Sequence, residues 1–306
     1  MRTGFIRLSG LVVLLLLASA AAVASEQGHF QKSFQVNTGA ELQVYTHSGD
    51  IQVRSGPAGT ISITGRIHVG DRWFAGGRKT EVEEIEKTPP IQQSGNLVRV
   101  DYVNHTNISI DYEITAPPDT KVRTKSGSGD QSVEGMQAGA DIETGSGDVR
   151  LENVSGEMRL RTGSGNIRTR DVAGGFEARA GSGDITLEEK GKGDVRIETG
   201  SGNVEARGVN GGVNASTGSG DVRVEGIPAS SWSIKTGSGN AELRLPQDAA
   251  FDVDASSSSG NIEVNHPVTT TVQGRVTDSH KSVRGKVRGG GPEVTAHTGS
   301  GNIRIE

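Results

Sequence analysis

The chain has 306 residues, of which 45 are Gly, none is Cys and only 4% are aromatic. That length allows one large repeat domain or two ordinary ones, but so few bulky residues exclude a broad globular core and leave room only for a narrow one. The lack of Cys excludes disulfides, thiolate metal sites and a lipid-modified N-terminal Cys, and a net charge of −5 gives no general attraction to nucleic acid or anionic membrane.

Arg2 and Arg7 precede an apolar run from Leu11 to Ala18, and Ala22-Val23-Ala24 fits a small-residue cleavage site. Residues 1–24 are therefore expected to be an export signal, with Ser25 the first mature residue. The run is short for a bilayer span; an uncleaved anchor helix is the other reading. No second segment of spanning length follows, so the mature chain is expected to lie outside the cytoplasm without crossing a membrane.

Residues 25–125 read as an irregular β-rich cap with the first coils. Phe34 and Val36, Leu42 and Val44, and Ile61 and Ile63 alternate with polar residues, the period of half-buried strands. His47-Ser48-Gly49-Asp50-Ile51 is an early copy of a phrase that dominates the later chain. Thr80-Glu81-Val82-Glu83 has the form of a capping box opening a short helix with Val82 and Ile85 inward, and Thr88-Pro89-Pro90 ends it. Leu97 to Val103 and Ile108 to Ile114 read as further strands.

From residue 126 to 306 the phrase recurs: a small residue, Gly-Ser-Gly, Asp or Asn, then usually a branched apolar residue. Its Asp/Asn position falls at 130, 148, 166, 184, 203, 221, 240 and 261, steps of 18 to 21 residues. The next copy is at 302, a gap that reads as two steps with one phrase missing, and residues 266–297 read as degenerate. A sustained period of this kind marks a repeat architecture. Each period carries two short alternating strands, as in Val149 and Leu151 followed by Met158 and Leu160, and two Gly turns. The expected fold is all-β, a single-stranded parallel β-solenoid with about 18 residues per coil, coils stacking about 4.8 Å apart. An antiparallel meander or sandwich is the alternative.

The Thr-Gly-Ser-Gly-Asp-Val phrases, the lead-in Pro117-Pro118-Asp119-Thr120-Lys121-Val122 and the export signal together resemble a bacterial family of β-strand repeats of unknown function, labelled "putative adhesin". The chain is similar also to the GIN-type head domains of that group. The resemblance covers most of the mature chain, most firmly Pro117 to Asn265. It implies a β-solenoid outside the cytoplasm and carries over no catalytic residue.

The residues themselves show little chemistry. His29, His47, His68, His105, His266, His280 and His297 are scattered without metal-binding spacing. No nucleophile elbow appears, and no Gly-rich phrase sits in a βαβ unit. No catalytic residue and no cofactor is expected. The sharp candidate is the column formed by Asp130, Asp148, Asn166, Asp184, Asn203, Asp221, Asn240, Asn261 and Asn302. Asp and Asn suit such turns because they tolerate unusual backbone angles and bond nearby amides; the other reading is a calcium ladder through Asp130, Asp148, Asp184 and Asp221. Lys281, Arg284, Lys286 and Arg288 form a basic run, read either as a solvated strand or as a contact patch for an acidic partner. No aromatic residue interleaves with it, so nucleic acid is not expected.

Three functions stay open at this point. The first is a non-catalytic exported protein that binds a surface, glycan or protein along the side of the solenoid. The second is a structural scaffold of the envelope, or part of an envelope stress-sensing system, with end-to-end self-association. The third is a polysaccharide-active enzyme.

Overall fold

The structure is a computed structural model and describes residues 26–70, 79–105, 107–269 and 281–306. The expected export signal lies outside the described residues, as does His280.

Alternating sequences here bury every second side chain and expose the rest. In Val149–Glu152 and Met158–Ser164, Val149, Leu151, Met158 and Leu160 are buried while Arg150 and Arg159 are exposed. These two strands, joined by residues 153–157, make most of one coil, and the Gly-Ser-Gly turn then leads into the next. The next coil repeats them one period later, so Ile142 pairs with Leu160, Thr144 with Thr162 and Val149 with Ile167, all parallel. The register is the sequence period itself.

Two long parallel ladders result. One contains Lys121–Ser128, Ala140–Ser146, Met158–Ser164, Phe176–Ser182 and Val195–Ser201. The other contains Gln131–Glu134, Val149–Glu152, Ile167–Val172 and Ile185–Glu189. The longer strands Val204–Ser219 and Val222–Ser238 take part in both. Between the ladders runs a narrow core of Val, Ile, Leu and Ala, with Trp232 fully buried and its indole N–H donating to the Gly211 carbonyl at 2.9 Å. Among the described residues the one α-helix is Lys79–Lys87, whose Val82 and Ile85 are buried against the first strand.

The Gly-Ser-Gly turn repeats because the neighbouring coil leaves no room for a side chain. A Cβ on Gly145 would lie 2.5 Å from the Gly127 carbonyl oxygen. Gly129 has φ +126°, and a Cβ there would meet the Gly49 carbonyl at 2.3 Å. The second position thus needs Gly twice over, for backbone angle and for close approach.

A purely parallel solenoid is not what the chain forms, because both ends are antiparallel. At one end Glu26–Gln35 pairs antiparallel with Thr60–Val69, which pairs antiparallel with Ile108–Ala116, and Ile91–Ser94 pairs antiparallel with Leu97–Val100. At the other, Lys281–Val287 pairs antiparallel with Phe251–Ser259 and with Val268–Thr269. A parallel stack ends in exposed edges and an open apolar column, and hairpins turning back on it cover both.

Coil order in space also departs from coil order in sequence. Glu41–Ser48 lies between Leu97–Val100 and Lys121–Ser128. Glu293–Ser300 lies between Val222–Ser238 and Phe251–Ser259, and Ile303–Ile305 lies between Ala241–Arg244 and Ile262–Val264. The long step from 261 to 302 therefore hides no missing coil; the last coil turns back and inserts one place inward. The arrangement is also favourable in charge. Stacked directly, Glu242 and Glu263 would be like-charged neighbours, and Arg304 sits between them.

Candidate functional site

The Asp/Asn column is continuous along the rod and longer than the repeat phrase suggests. Each member accepts, through Oδ1, the backbone N–H of the member on the next coil. The N–H of Asp148 donates to Asp130 at 2.8 Å, that of Asn166 to Asp148 at 2.8 Å, and that of Asp184 to Asn166 at 3.0 Å. The chain of bonds continues through Asn203, Asp221 and Asn240 at 2.7 to 2.9 Å. From Asn240 it passes to Asn302 and from there to Asn261, each at 2.9 Å. At the other end Asp130 donates to Asp50, and Asp50 to Asp111, both at 2.8 Å.

All nine predicted column residues are thus brought together, and Asp50 and Asp111 join them. In spatial order Asp111, Asp50, Asp130 and Asp148 form an all-acidic stretch, after which Asn recurs and dilutes the charge. The N–H of Asn166, bonded to Asp148, and the guanidinium of Arg168, 2.7 Å from its Oδ2, hold the Asp148 carboxyl below the usual range. The last acceptor, Asn261 Oδ1, receives the Lys281 ammonium at 2.5 Å.

Behind this column runs a second, buried one of hydroxyls. Thr162 Oγ1 donates to the Gly147 carbonyl at 3.2 Å, Thr217 to Gly202 at 2.9 Å and Thr298 to Gly239 at 2.9 Å. Ala180 holds the same position without a hydroxyl. The sequence shows only a small residue before each Gly-Ser-Gly; the carbonyl that makes Thr fit belongs to the neighbouring coil.

Beside the Asp/Asn column lie two grooves. One, of about 680 Å³, is lined by Asn203, Asp221, Asn240, Asn302 and Asn261 together with a row of charges. That row alternates in space as Glu205, Arg223, Glu242, Arg304 and Glu263, with Arg223 and Glu242 2.8 Å apart and Arg304 and Glu263 3.2 Å apart. The other groove, of about 390 Å³, follows Asp50, Asp111, Asp130 and Asp148, with Arg66, Arg150 and Arg168 along it.

The side chains of the basic run each have a partner beside them, while Arg284 and Lys286 stay largely exposed. Arg284 meets Asp254 at 2.9 Å, Lys286 lies 3.9 Å from Asp252, and Arg288 Nε donates to the Gln247 carbonyl at 3.0 Å. With Lys281 on Asn261, all four basic side chains fasten the C-terminal hairpin to the coil beneath. Alternation with acids on the facing strand makes the difference, and those acids lie some 30 residues earlier in sequence.

The described histidines stay apart. His68 lies 2.9 Å from Asp111, His297 Nδ1 is 2.6 Å from Ser256 Oγ, and His47 stacks on Tyr102. Among the described residues no group of three or more His, Asp or Glu side chains is placed to hold a metal ion. One buried carboxyl stands out. Glu189 occupies an inward position paired with Val172, and burial pushes its pKa up to about 7.

A family model described as Toastrack DUF4097 matches residues 37–195 and again 173–306. A crystal structure of a "putative lipid binding protein" from Parabacteroides distasonis ATCC 8503 is similar at 12% identity over 92% of this chain and 98% of that one, with a TM-score of 0.52. One of a "putative adhesin" from Bacteroides fragilis NCTC 9343 aligns at 13% identity over the same shares, with a TM-score of 0.37. No curated protein matches the chain. At these identities the first structure supports the fold alone. No described helix is long and apolar enough to cross a membrane.

Proposed function

Starting from a chain that belongs to the Toastrack DUF4097 family, we propose that it is a non-catalytic exported binding protein that holds an extended partner along the side of the rod. The observation that carries this reading is the pair of grooves beside the Asp/Asn column, about 680 and 390 Å³. Their lining repeats from coil to coil, so a long partner meets the same donors and acceptors many times. Catalysis needs the opposite, unlike groups converging on one point.

Three further considerations support it. The family label of the resembling repeat proteins and the description of the Bacteroides fragilis structure both name adhesion. The Arg-led apolar run at residues 1–24 is that of an export signal. A lipid-binding role fits less well, because Tyr102 and Ile227 are the only large apolar side chains exposed among the described residues.

The test is deletion of residues 149–166, one whole period. The shortened rod should fold, and binding to purified cell-wall sacculi should weaken by degrees. Complete loss of binding by a folded deletion variant would point to a local site in that coil and overturn the distributed reading. N-terminal sequencing of protein from the producing cell tests export, with a first residue at Ser25 expected and one at Met1 counting against it.

A further inference from the structure

This chain is poor in aromatic residues and buries most of those described, including Phe30, Tyr112, Phe176, Trp232 and Phe251. Tyr45, half-buried, and Tyr102, exposed, meet the exposed ring of His47 at one place. Tyr102 stacks on His47, with centroids 4.6 Å apart and planes at 29°, and lies 5.7 Å from Tyr45 at 34°. The Arg99 guanidinium sits 4.9 Å from the Tyr45 ring centre, and Asp101 accepts from its Nε at 2.7 Å. Tyr102 is 36% exposed although its ring is large and largely apolar.

A cleft of about 610 Å³ adjoins the stack through His47 and is lined also by Ser48, Asn104, His105, Asn107 and Ser109. The backbone closes one side, where the Gly70 N–H donates to the Asn107 carbonyl at 3.0 Å. Asn107 holds a left-handed backbone, φ 63°. The side chains of Asn104, His105 and Asn107 make no hydrogen bond with another residue among those described. An exposed aromatic face beside unspent polar groups is the make-up of a ligand site, the ring supplying contact area and the polar groups orientation.

We propose that this stack and cleft bind a carbohydrate, specifically an uncharged pyranose ring of a glycan. A pyranose carries C–H groups on one face and hydroxyls around its rim. The face matches Tyr102; the rim matches Asn104, His105 and Asn107. An acyl chain would find only Val103 and Ile108 as apolar lining, among mostly polar side chains. A nucleic acid meets Asp101 beside the stack and a chain of net charge −5. The site lies at the N-terminal end of the rod and is separate from the side grooves, so it stands or falls independently of side binding.

The experiment is calorimetric titration of the protein with chitohexaose, cellohexaose and maltohexaose, and with a dT hexamer for contrast. At least one hexasaccharide should bind. Tyr102→Ala should weaken that binding at least tenfold with an unchanged melting temperature, Tyr102→Phe should keep it, and Arg223→Ala in the side groove should leave it unaltered. Binding of none of the hexasaccharides, binding of dT alone, or wild-type affinity in Tyr102→Ala would overturn the assignment.

Discussion

Glu189 should make the fold less stable as pH rises, and replacing it should remove that effect. Its side chain is 7% exposed and faces Val172 on the preceding coil. Burial raises its pKa from 4.5 to about 7; the backbone N–H of Asn210 opposes the rise and the Asp194 carboxylate adds to it. At about 1.4 kcal/mol per pH unit, that difference amounts to roughly 3 kcal/mol. Discounting for solvent screening leaves about 2 kcal/mol. The sign follows from proton binding: the folded state holds this proton more tightly than the unfolded chain. The stability is fully present below pH 4.5, declines as pH rises to about 7, and is level above it. Glu189→Gln and Glu189→Val should therefore melt higher than wild type at pH 8, by about 3 °C for a chain of this size. Near pH 4 the gain for Glu189→Gln should vanish. Comparing variant with wild type at each pH cancels the other titrating groups. A Glu189→Gln melting difference that is the same at pH 4 and pH 8, or a lower melting temperature at pH 8, would refute the reasoning.

The remaining expectations concern the columns and the ends. Ala180→Thr places a hydroxyl opposite the Gly165 carbonyl, continuing the buried column, and should stabilise by about 1 kcal/mol in a thermal melt. Gly202→Ala puts a Cβ 2.1 Å from the Gly183 carbonyl at a φ of +154°; it should cost about 3 kcal/mol or more and lower the denaturant midpoint. Melts with and without a chelator should agree, since the column's Oδ1 atoms already accept backbone N–H groups; a large fall on chelation would revive the calcium ladder. Truncation before Glu293 removes a coil that other coils enclose, so limited proteolysis should then release residues 245–292, whereas deletion of residues 149–166 should leave a resistant core.

The period was legible because each coil must turn in the same cramped place. Two Gly residues and an amide-bonding Asp or Asn recur wherever a neighbouring carbonyl or N–H demands them, as at Gly145 and Asp148. Coil order was not legible, because the phrase around Asp50 is like any other copy and carries no mark of its spatial neighbour Asp130, 80 residues away. Asp111 follows Ser109-Ile110 with no Gly-Ser-Gly and gave no signal at all. Glu189 escaped notice for a related reason: alternation from Ile185 and Leu187 puts it inward, but a charged residue there reads as the end of a strand. The aromatic site was hidden too, since Tyr45 and Tyr102 are distant in sequence and meet only where the chain leaves the strand Leu97–Val100.

The displaced coils at both ends have a common physical consequence. In a simple stack the terminal coil has one neighbour and frays first. Here the outer coils are Leu97–Val100 with Ile108–Ala116 at one end and Phe251–Ser259 with Ile262–Val264 at the other, and both lie inside the sequence. The coils nearest the termini each have neighbours on both sides, as Ile303–Ile305 does between Ala241–Arg244 and Ile262–Val264. Peeling either terminal coil away therefore breaks two ladders at once, and an outer coil cannot leave without pulling on chain at both of its ends. Such closure needs pairings of large sequence separation, which slow folding. In return it secures a rod that contains no Cys and has no disulfide to hold its ends. Fixed ends also hold the coils that carry the side grooves in register, as the proposed side-binding of an extended partner requires.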